Sequence, residues 1–225
     1  MPPRVSLFAI GLLSLLIPAP AWSKAAPDRL YGGPIEFDIL RNNTPVGTHR
    51  VAFERQGDDL AVTVTSEIVV KFLAVPVYRF HYQSQTLWAN GELKSVKAVT
   101  NDDGDVSSVE ATVDGSQAVI QGPAGRLTAP LPFFAIDHWN ADELAHNVVL
   151  NNITGKLDHV QVVAAGAHEI DTADGPRAAD RYDIQGDLKF TAWYDPSGRW
   201  IGLSFKGKDG STIQYLCRRC GPEQP

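Results

Sequence analysis

The stretch Val77-Tyr78-Arg79-Phe80-His81-Tyr82-Gln83 decides the fold. Tyr78, Phe80 and Tyr82 fall on one side of an extended chain, and Arg79, His81 and Gln83 on the other. Alternation with a period of two is the pattern of a strand with one face buried. Further on, Asn90-Gly91 is a hairpin signal, because both positions tolerate the positive φ of a tight turn. Leu93 to Thr100 is then the returning strand. Strands joined by turns this short must run antiparallel.

The same pattern extends in both directions. Ile35, Phe37 and Ile39 alternate with Glu36 and Asp38. Asn42-Asn43-Thr44-Pro45 turns the chain, and Val46-Gly47 starts a return through Val51 and Phe53. Gly57-Asp58-Asp59 is a second turn, and Leu60, Val62 and Val64 lead to Ile68-Val69-Val70. Pro76 interrupts, so a strand restarts near Val77. Asp102-Asp103-Gly104 and Asp114-Gly115 bracket a strand over Val106 to Val113. After Gly155 the strands resume, with turns at Asp174-Gly175, Gly186-Asp187 and Asp195-Pro196-Ser197-Gly198. Trp200 to Phe205 and Thr212 to Leu216 complete the set.

The middle of the chain differs. Gly122 to Pro132 carries three prolines and two glycines, followed by Phe133-Phe134-Ala135-Ile136. Proline lacks a ladder donor, so the stretch reads as a crossover loop bearing apolar side chains. Asn140 suits a helix N-cap, with Glu143 placed as in a capping box, so one short helix is expected over about Ala141 to Leu150. That gives ten to twelve strands, too many for a flat open sheet. The expected fold is all-β and mainly antiparallel: a curved meander forming a barrel or half-barrel with one short helix. It occupies one domain over residues 24–225, with a short tail from about 217.

Composition bounds the rest. The 225 residues are 44% hydrophobic and 20% charged, ordinary for a globular chain. A chain of this size buries enough surface to fold without metals or disulfides. The net charge is −6 and there is no basic run, which argues against a nucleic-acid partner. Residues 1–23 read as a signal peptide. Arg4 supplies the positive end, and Val5 to Ile17 is an uncharged, mostly apolar core too short for a usual membrane span. Cleavage fits after Ala21 or Ser23; the alternative is an uncleaved anchor. No Cys lies near this region, so the protein is not expected to be a lipoprotein. No other segment could cross a bilayer as a helix, so no transmembrane anchor is expected after cleavage. The expected product is a soluble, exported, periplasmic protein.

Taken in order, several short stretches resemble an exported bacterial family known as domain of unknown function 6134, and more distantly family 3108. They are Val46-Gly47, Ile68-Val69-Val70-Lys71, Val77 to Tyr82, Trp88 with Gly91 and Leu93, Trp139-Asn140, Thr154-Gly155, and Trp193-Tyr194-Asp195 with Trp200. The resemblance implies a curved antiparallel sheet, an envelope location and no assigned activity. It names no catalytic residues, and Cys217-Arg218-Arg219-Cys220 is not part of its pattern.

Candidate chemistry is sparse. Cys217 and Cys220 fit a small local disulfide or two free thiols in a frayed tail. A redox pair would normally open a helix, and tetrahedral zinc would need two more ligands, for which only histidines are on offer. None of the six histidines forms a metal-binding helical pair. His81 is a satisfied surface or core histidine, or else faces a cavity. Asp137-His138 suggests an oriented general base, though adjacent residues seldom bond that way. There is no Gly-x-Ser-x-Gly elbow. Asn101 to Asp105 looks like a calcium loop, but Val106 and Thr112 stand where Gly and Glu are required, so it reads as a hairpin turn. The glycosylation sequons at Asn42 and Asn152 are read as coincidence. No catalytic residue, metal or cofactor is assigned.

The aromatic residues carry the functional expectation. Most should be core. If the sheet closes incompletely, Tyr78, Phe80, Tyr82, Trp88, Phe133, Phe134, Trp139 and Trp193 would line a concavity for a hydrophobic or lipid-like ligand. The segment with Leu131, Phe133, Phe134 and Ile136 would cover its mouth as a lid, or fill it as a plug. The expectation is a non-catalytic module that binds a hydrophobic small molecule or an envelope protein. The alternatives are a structural or assembly protein with a filled core, and a hydrolase or thiol oxidoreductase.

Overall fold

A computed structural model describes residues 27–222. The leader read over residues 1–23, with its cleavage points, lies outside them, as do the last three residues. A short helix α1 (Pro27–Tyr31) comes first. The first run of strands is β1 (Ile35–Arg41), β2 (Thr44–Gln56), β3 (Asp59–Phe72), β4 (Val75–Ala89), β5 (Glu92–Asp102), β6 (Asp105–Asp114), β7 (Gln117–Gly122) and β8 (Gly125–Pro130). The second is β9 (Val148–Leu150), β10 (Leu157–Thr172), β11 (Gly175–Gly186), β12 (Phe190–Tyr194), β13 (Trp200–Lys206) and β14 (Thr212–Arg219).

All fourteen strands join one antiparallel sheet in the order β8-β7-β6-β5-β4-β3-β2-β1-β14-β13-β12-β11-β10-β9. Each run is a meander, and the runs meet where β1 pairs with β14, Ile39 opposite Tyr215. The alternation read in the sequence sets the faces. On β4, Tyr82, Ser84, Thr86 and Trp88 are buried, while Gln83 and Gln85 between them are exposed. On β3, Leu60, Val62, Val64 and Ser66 do the same. The sheet curls but does not close, as in a half-barrel. Its edges are bridged by the segment after β8. There the Leu150 N–H donates to Phe134 O at 2.7 Å, and the Ile136 N–H donates to Leu150 O at 3.0 Å.

Two expectations for the middle of the chain are corrected. Gly122 to Pro132 is not a crossover loop, because β7 and β8 form a hairpin that takes in most of it. Pro123 falls in the turn and Pro130 ends β8, the edge strand, where a missing ladder donor is tolerated. The helix expected to Leu150 is a single 3₁₀ turn over Ala141–Ala145. Asn140 does cap it, accepting from the Asp142 N–H at 3.1 Å. Val148, Val149 and Leu150 then extend as β9, since β-branched residues favour a strand and β10 offers a partner.

A bulge sets the orientation of the central aromatics. Trp193 pairs with Gly202 and Tyr194 with Trp200, which leaves Ile201 as the extra residue. Trp200 therefore turns inward beside Phe37, with ring centroids 4.3 Å apart. Gly202 faces the other way. Any side chain there would collide with Ile170 of β10, because the β10–β11 hairpin folds across that face. The hairpin's tip is fastened where the Ala173 N–H donates to Cys217 O at 2.8 Å.

The β3–β4 hairpin overshoots its neighbours. β2 pairs with β3 only as far as Ile68, and β5 meets β4 first at Phe80. Residues 69–79 therefore form a two-stranded finger with a ladder of its own and no flanking strand. Its turn is Leu73-Ala74, at φ 48° and 68°. Among the described residues three other turns have two consecutive positive φ values: Asn42-Asn43, Asn90-Gly91 and Asp103-Gly104. Those residue types tolerate the left-handed region, whereas each ordinary side chain there costs roughly 1–2 kcal/mol. Replacing Leu73→Asn and Ala74→Gly together is expected to stabilise the finger by about 1 kcal/mol. Hydrogen exchange at the finger amides should slow about fivefold, with the rest of the sheet unchanged.

Candidate functional site

The segment from Leu131 to Ala145 connects the two edges of the sheet and packs into its interior. Phe133, Phe134 and Trp139 are all buried. Trp139 meets Trp88 edge-on at 5.2 Å and Phe53 at 5.5 Å, and Trp88 meets Phe134 at 5.6 Å. These rings fill the end of the sheet near the Asn90-Gly91 turn. Tyr31 of α1 enters the same space and stacks on Phe53 at 5.5 Å. Its hydroxyl donates to Trp139 O and accepts from the Trp200 N–H, both at 2.8 Å. One phenol thus ties α1, the connecting segment and β13 together, and burial pushes its pKa strongly upward.

Polar side chains gather beneath these rings. Glu143 is buried, and its Oε2 accepts from the backbone N–H groups of Asp137 (3.3 Å) and His138 (3.0 Å). Its Oε1 lies 3.1 Å from His138 Nδ1 and 3.3 Å from the Tyr194 hydroxyl. The Tyr194 hydroxyl also donates to His138 O at 2.8 Å. His138 has φ 62°, a left-handed backbone held in place by these bonds. Its ring rests against Phe190 at 4.9 Å and Trp200 at 5.2 Å.

Asp137 and His138, adjacent in sequence, do not pair. Glu143 orients the imidazole, and Asp137 points elsewhere, accepting from Asn152 Nδ2 at 2.8 Å. Burial raises the Asp137 pKa from its ordinary 3.8 to about 7, and the neighbouring Glu143 carboxylate adds to the rise. Asp137 Oδ2, Asn152 Oδ1, Ser84 Oγ and Trp139 Nε1 are buried without hydrogen-bond partners.

A second polar pair lies deeper in the sheet. His49 Nδ1 is 2.6 Å from Ser66 Oγ, while His49 Nε2 has no partner. The imidazole is ringed by Phe37, Trp200 and Tyr215 at 6.0, 5.4 and 5.1 Å. Burial pushes its pKa down to about 3 and His138 adds to the fall, so His49 is neutral at pH 7. These acids and imidazoles hold backbone and neighbouring side chains. A general acid or base must reach a substrate proton, and these groups face packed rings.

The residues singled out from the sequence separate into three places. Tyr82, Trp88, Phe133, Phe134 and Trp139 are buried in the interior. Tyr78 and Phe80 are half-buried at the base of the finger, where the Tyr78 hydroxyl donates to Asp102 Oδ1 at 2.7 Å. Trp193 lies on the face opposite Tyr194, half-buried beside Gly202. His81 is exposed, 3.7 Å from Glu67. Asn101 to Asp105 is a hairpin turn, in which the Gly104 N–H donates to Asn101 Oδ1 at 2.8 Å. Cys217 and Cys220 form a disulfide and are both buried. Sequence reasoning missed Tyr31 and His49. Glu143 was visible only as a capping residue.

Two hollows open at the surface, the first adjoining the buried cluster through Phe190. One, of about 330 Å³, is lined by Asp183, Lys189, Phe190, Phe205 and Lys206 among others. The other, of about 680 Å³, lies between the β1–β2 turn and the finger, lined by Arg41, Pro45, Val46, Val69 and Lys71 among others. Among the described residues, no three His, Cys, Asp or Glu side chains converge as a metal site would require. No described helix is long and apolar enough to cross a membrane.

A family model matches residues 37–218, from Phe37 on β1 to Arg218 on β14. The chain belongs to DUF6134, described as a domain of unknown function. No curated protein and no solved structure matches it. The DUF6134 match takes in part or all of every strand, together with Asp137, His138, Glu143 and Trp200. It leaves out Tyr31 and Cys220. The DUF6134 sheet is thus fastened, in this chain, by a phenol and half of a disulfide from beyond the matched span.

Proposed function

We propose that this DUF6134 protein is an exported, periplasmic, non-catalytic module that binds a hydrophobic or lipid-like ligand or an envelope partner. One contrast supports the reading. In the interior, Glu143 is buried and accepts from the backbone N–H groups of Asp137 and His138, while apolar side chains stand exposed on one projecting hairpin. Binding then belongs to the outer surface and the mouth near Tyr78 and Phe80 more than to an interior filled by Trp88, Phe134 and Trp139. The leader-like residues 1–23 and the Cys217–Cys220 disulfide fit an oxidising compartment outside the cytoplasm.

Native mass spectrometry of protein purified from the periplasm tests this. The expected result is an added mass that organic solvent removes, or a thermal shift on adding an apolar dye. A bare chain indifferent to lipid, dye and envelope extract overturns the reading. The filled interior favours a second reading, a structural or assembly protein. A stable protein partner in pull-down, with no bound lipid, selects it. Thiol chemistry is the third, and full function of a Cys217→Ser strain removes it.

A further inference from the structure

We propose that the finger of residues 69–79 is a membrane-contact device whose tip inserts into the headgroup region of an anionic bilayer. This deepens the reading above and rests on it. Of the nine large hydrophobic side chains exposed among the described residues, four are on this finger. They are Phe72 (67%), Leu73 (84%), Val75 (62%) and Val77 (55%). No neighbouring strand pairs with either edge of the hairpin there, and all four side chains are exposed, so they serve no core.

The turn points the same way. Leu73 and Ala74 hold a backbone conformation that Asn and Gly adopt far more easily, and that Asn42-Asn43, Asn90-Gly91 and Asp103-Gly104 adopt elsewhere in this sheet. A polar Asn or Asp at an inserting apex would have to leave water; Leu73 and Ala74 have no polar side-chain atoms to desolvate. The strained turn is thus matched to an apolar environment.

Backbone and charge complete the fit. Phe72 pairs with Val75 and Val70 with Tyr78, so the finger's strands carry their own ladder into a medium without hydrogen-bond partners. From Phe72 to Tyr78 there is no charged residue, and exposed Lys71 and Arg79 stand at the two ends. An apolar tip between cations complements a bilayer surface, where the long side chains reach lipid phosphates while the tip is buried. The flanking acids are Glu67, opposite His81, and the Asp102–Asp105 turn, in which Asp102 is opposite Phe80 and Asp103 Oδ1 accepts from the Arg79 N–H at 3.3 Å. They are set back at least four residues from Val75, roughly 13 Å, and remain in water. A projecting knob with two exposed faces suits a deformable lipid surface better than a rigid groove.

The test is cosedimentation of the leader-free chain with vesicles of equal parts phosphatidylglycerol and phosphatidylethanolamine, and with phosphatidylcholine vesicles. The wild type is expected to bind the anionic vesicles more tightly, with an affinity that falls as salt rises. Leu73→Asn with Ala74→Gly keeps the hairpin and should weaken binding about tenfold; adding Phe72→Ser should weaken it roughly a hundredfold. Lys71→Glu with Arg79→Glu should remove the preference for anionic lipid. An environment-sensitive dye on Leu73→Cys should shift to the blue on binding, while one on Asn90→Cys, at the opposite end of the sheet, should not. Wild-type protein that ignores both vesicles overturns the proposal, as does a polar-tip variant that binds equally well. Crosslinking from position 73 to a protein instead of lipid also overturns it. If vesicles fail but native mass spectrometry still finds a ligand or partner, the bilayer assignment falls and the broader reading stands. If both fail, both fall.

Discussion

Trp200→Ala is expected to lower the free energy of unfolding by about 4 kcal/mol, among the largest effects of any single truncation in this protein. The indole sits against Phe37, His49, His138 and Tyr215, with ring centroids between 4.3 and 6.0 Å away. Its Nε1–H donates to Gly202 O at 2.8 Å across the Ile201 bulge, and its backbone N–H donates to Tyr31. Truncation opens a cavity where the two meanders meet and leaves the Gly202 carbonyl without that partner. Equilibrium urea unfolding measures the loss. Val99→Ala is the control: Val99 is half exposed, and the change should stay within about 0.5 kcal/mol. A Trp200→Ala loss no larger than the control's would mean that the cluster around Phe37 does not hold the sheet together.

Asp137→Asn is expected to make the protein more stable at pH 8 and to flatten its stability between about pH 4 and about pH 7. Asp137 is an acid whose folded-state pKa is raised, from 3.8 to about 7. Below pH 4 it is protonated in both the folded and the unfolded chain. Between pH 4 and pH 7 the unfolded chain releases the proton while the folded chain retains it. Rising pH therefore favours unfolding across this window, and the loss is complete above pH 7. At 1.36 kcal/mol per unit the ceiling is about 4 kcal/mol, and partial relaxation of the loop brings the expected difference to about 2 kcal/mol. Asparagine keeps an acceptor for Asn152 Nδ2 and cannot ionise. Urea midpoints of both proteins across the range give the result, since titration of groups not coupled to Asp137 cancels in the difference. Parallel curves would mean that Asp137 is already ionised in the fold.

The sheet was legible because its signals are local. Tyr78 to Tyr82 shows its faces in one glance at the alternation, and Asn90-Gly91 names its turn outright. The failures occurred where a distant partner overrode a local signal. Pro123 and Pro130 argue against a central strand, but nothing in Gly122 to Pro132 reveals that it lies at an edge, where prolines are harmless. Ala141 to Leu150 reads as a helix until β10 claims Val148 to Leu150. Leu73-Ala74 escaped notice for the opposite reason. It is a true turn without turn chemistry, so Pro76 looked like the only interruption. At the buried cluster, adjacency suggested Asp137 for His138, whereas the loop brings Glu143 around to the imidazole. Tyr31 had no signal, because its task depends on two backbone groups more than a hundred residues away.

The pairing of β1 with β14 has a consequence for how the molecule comes into being. The first and last strands lie side by side near the middle of the sheet, with six strands counted from β14 to one edge and eight from β1 to the other. A chain that emerges end-first can lay down the ribbon from β2 to β8, and later that from β9 to β13, as separate halves. They cannot be joined through the β1–β14 ladder until β14 has emerged. Closing the β1–β14 ladder is thus a late step of biogenesis, and a chain truncated before β14 leaves that seam open.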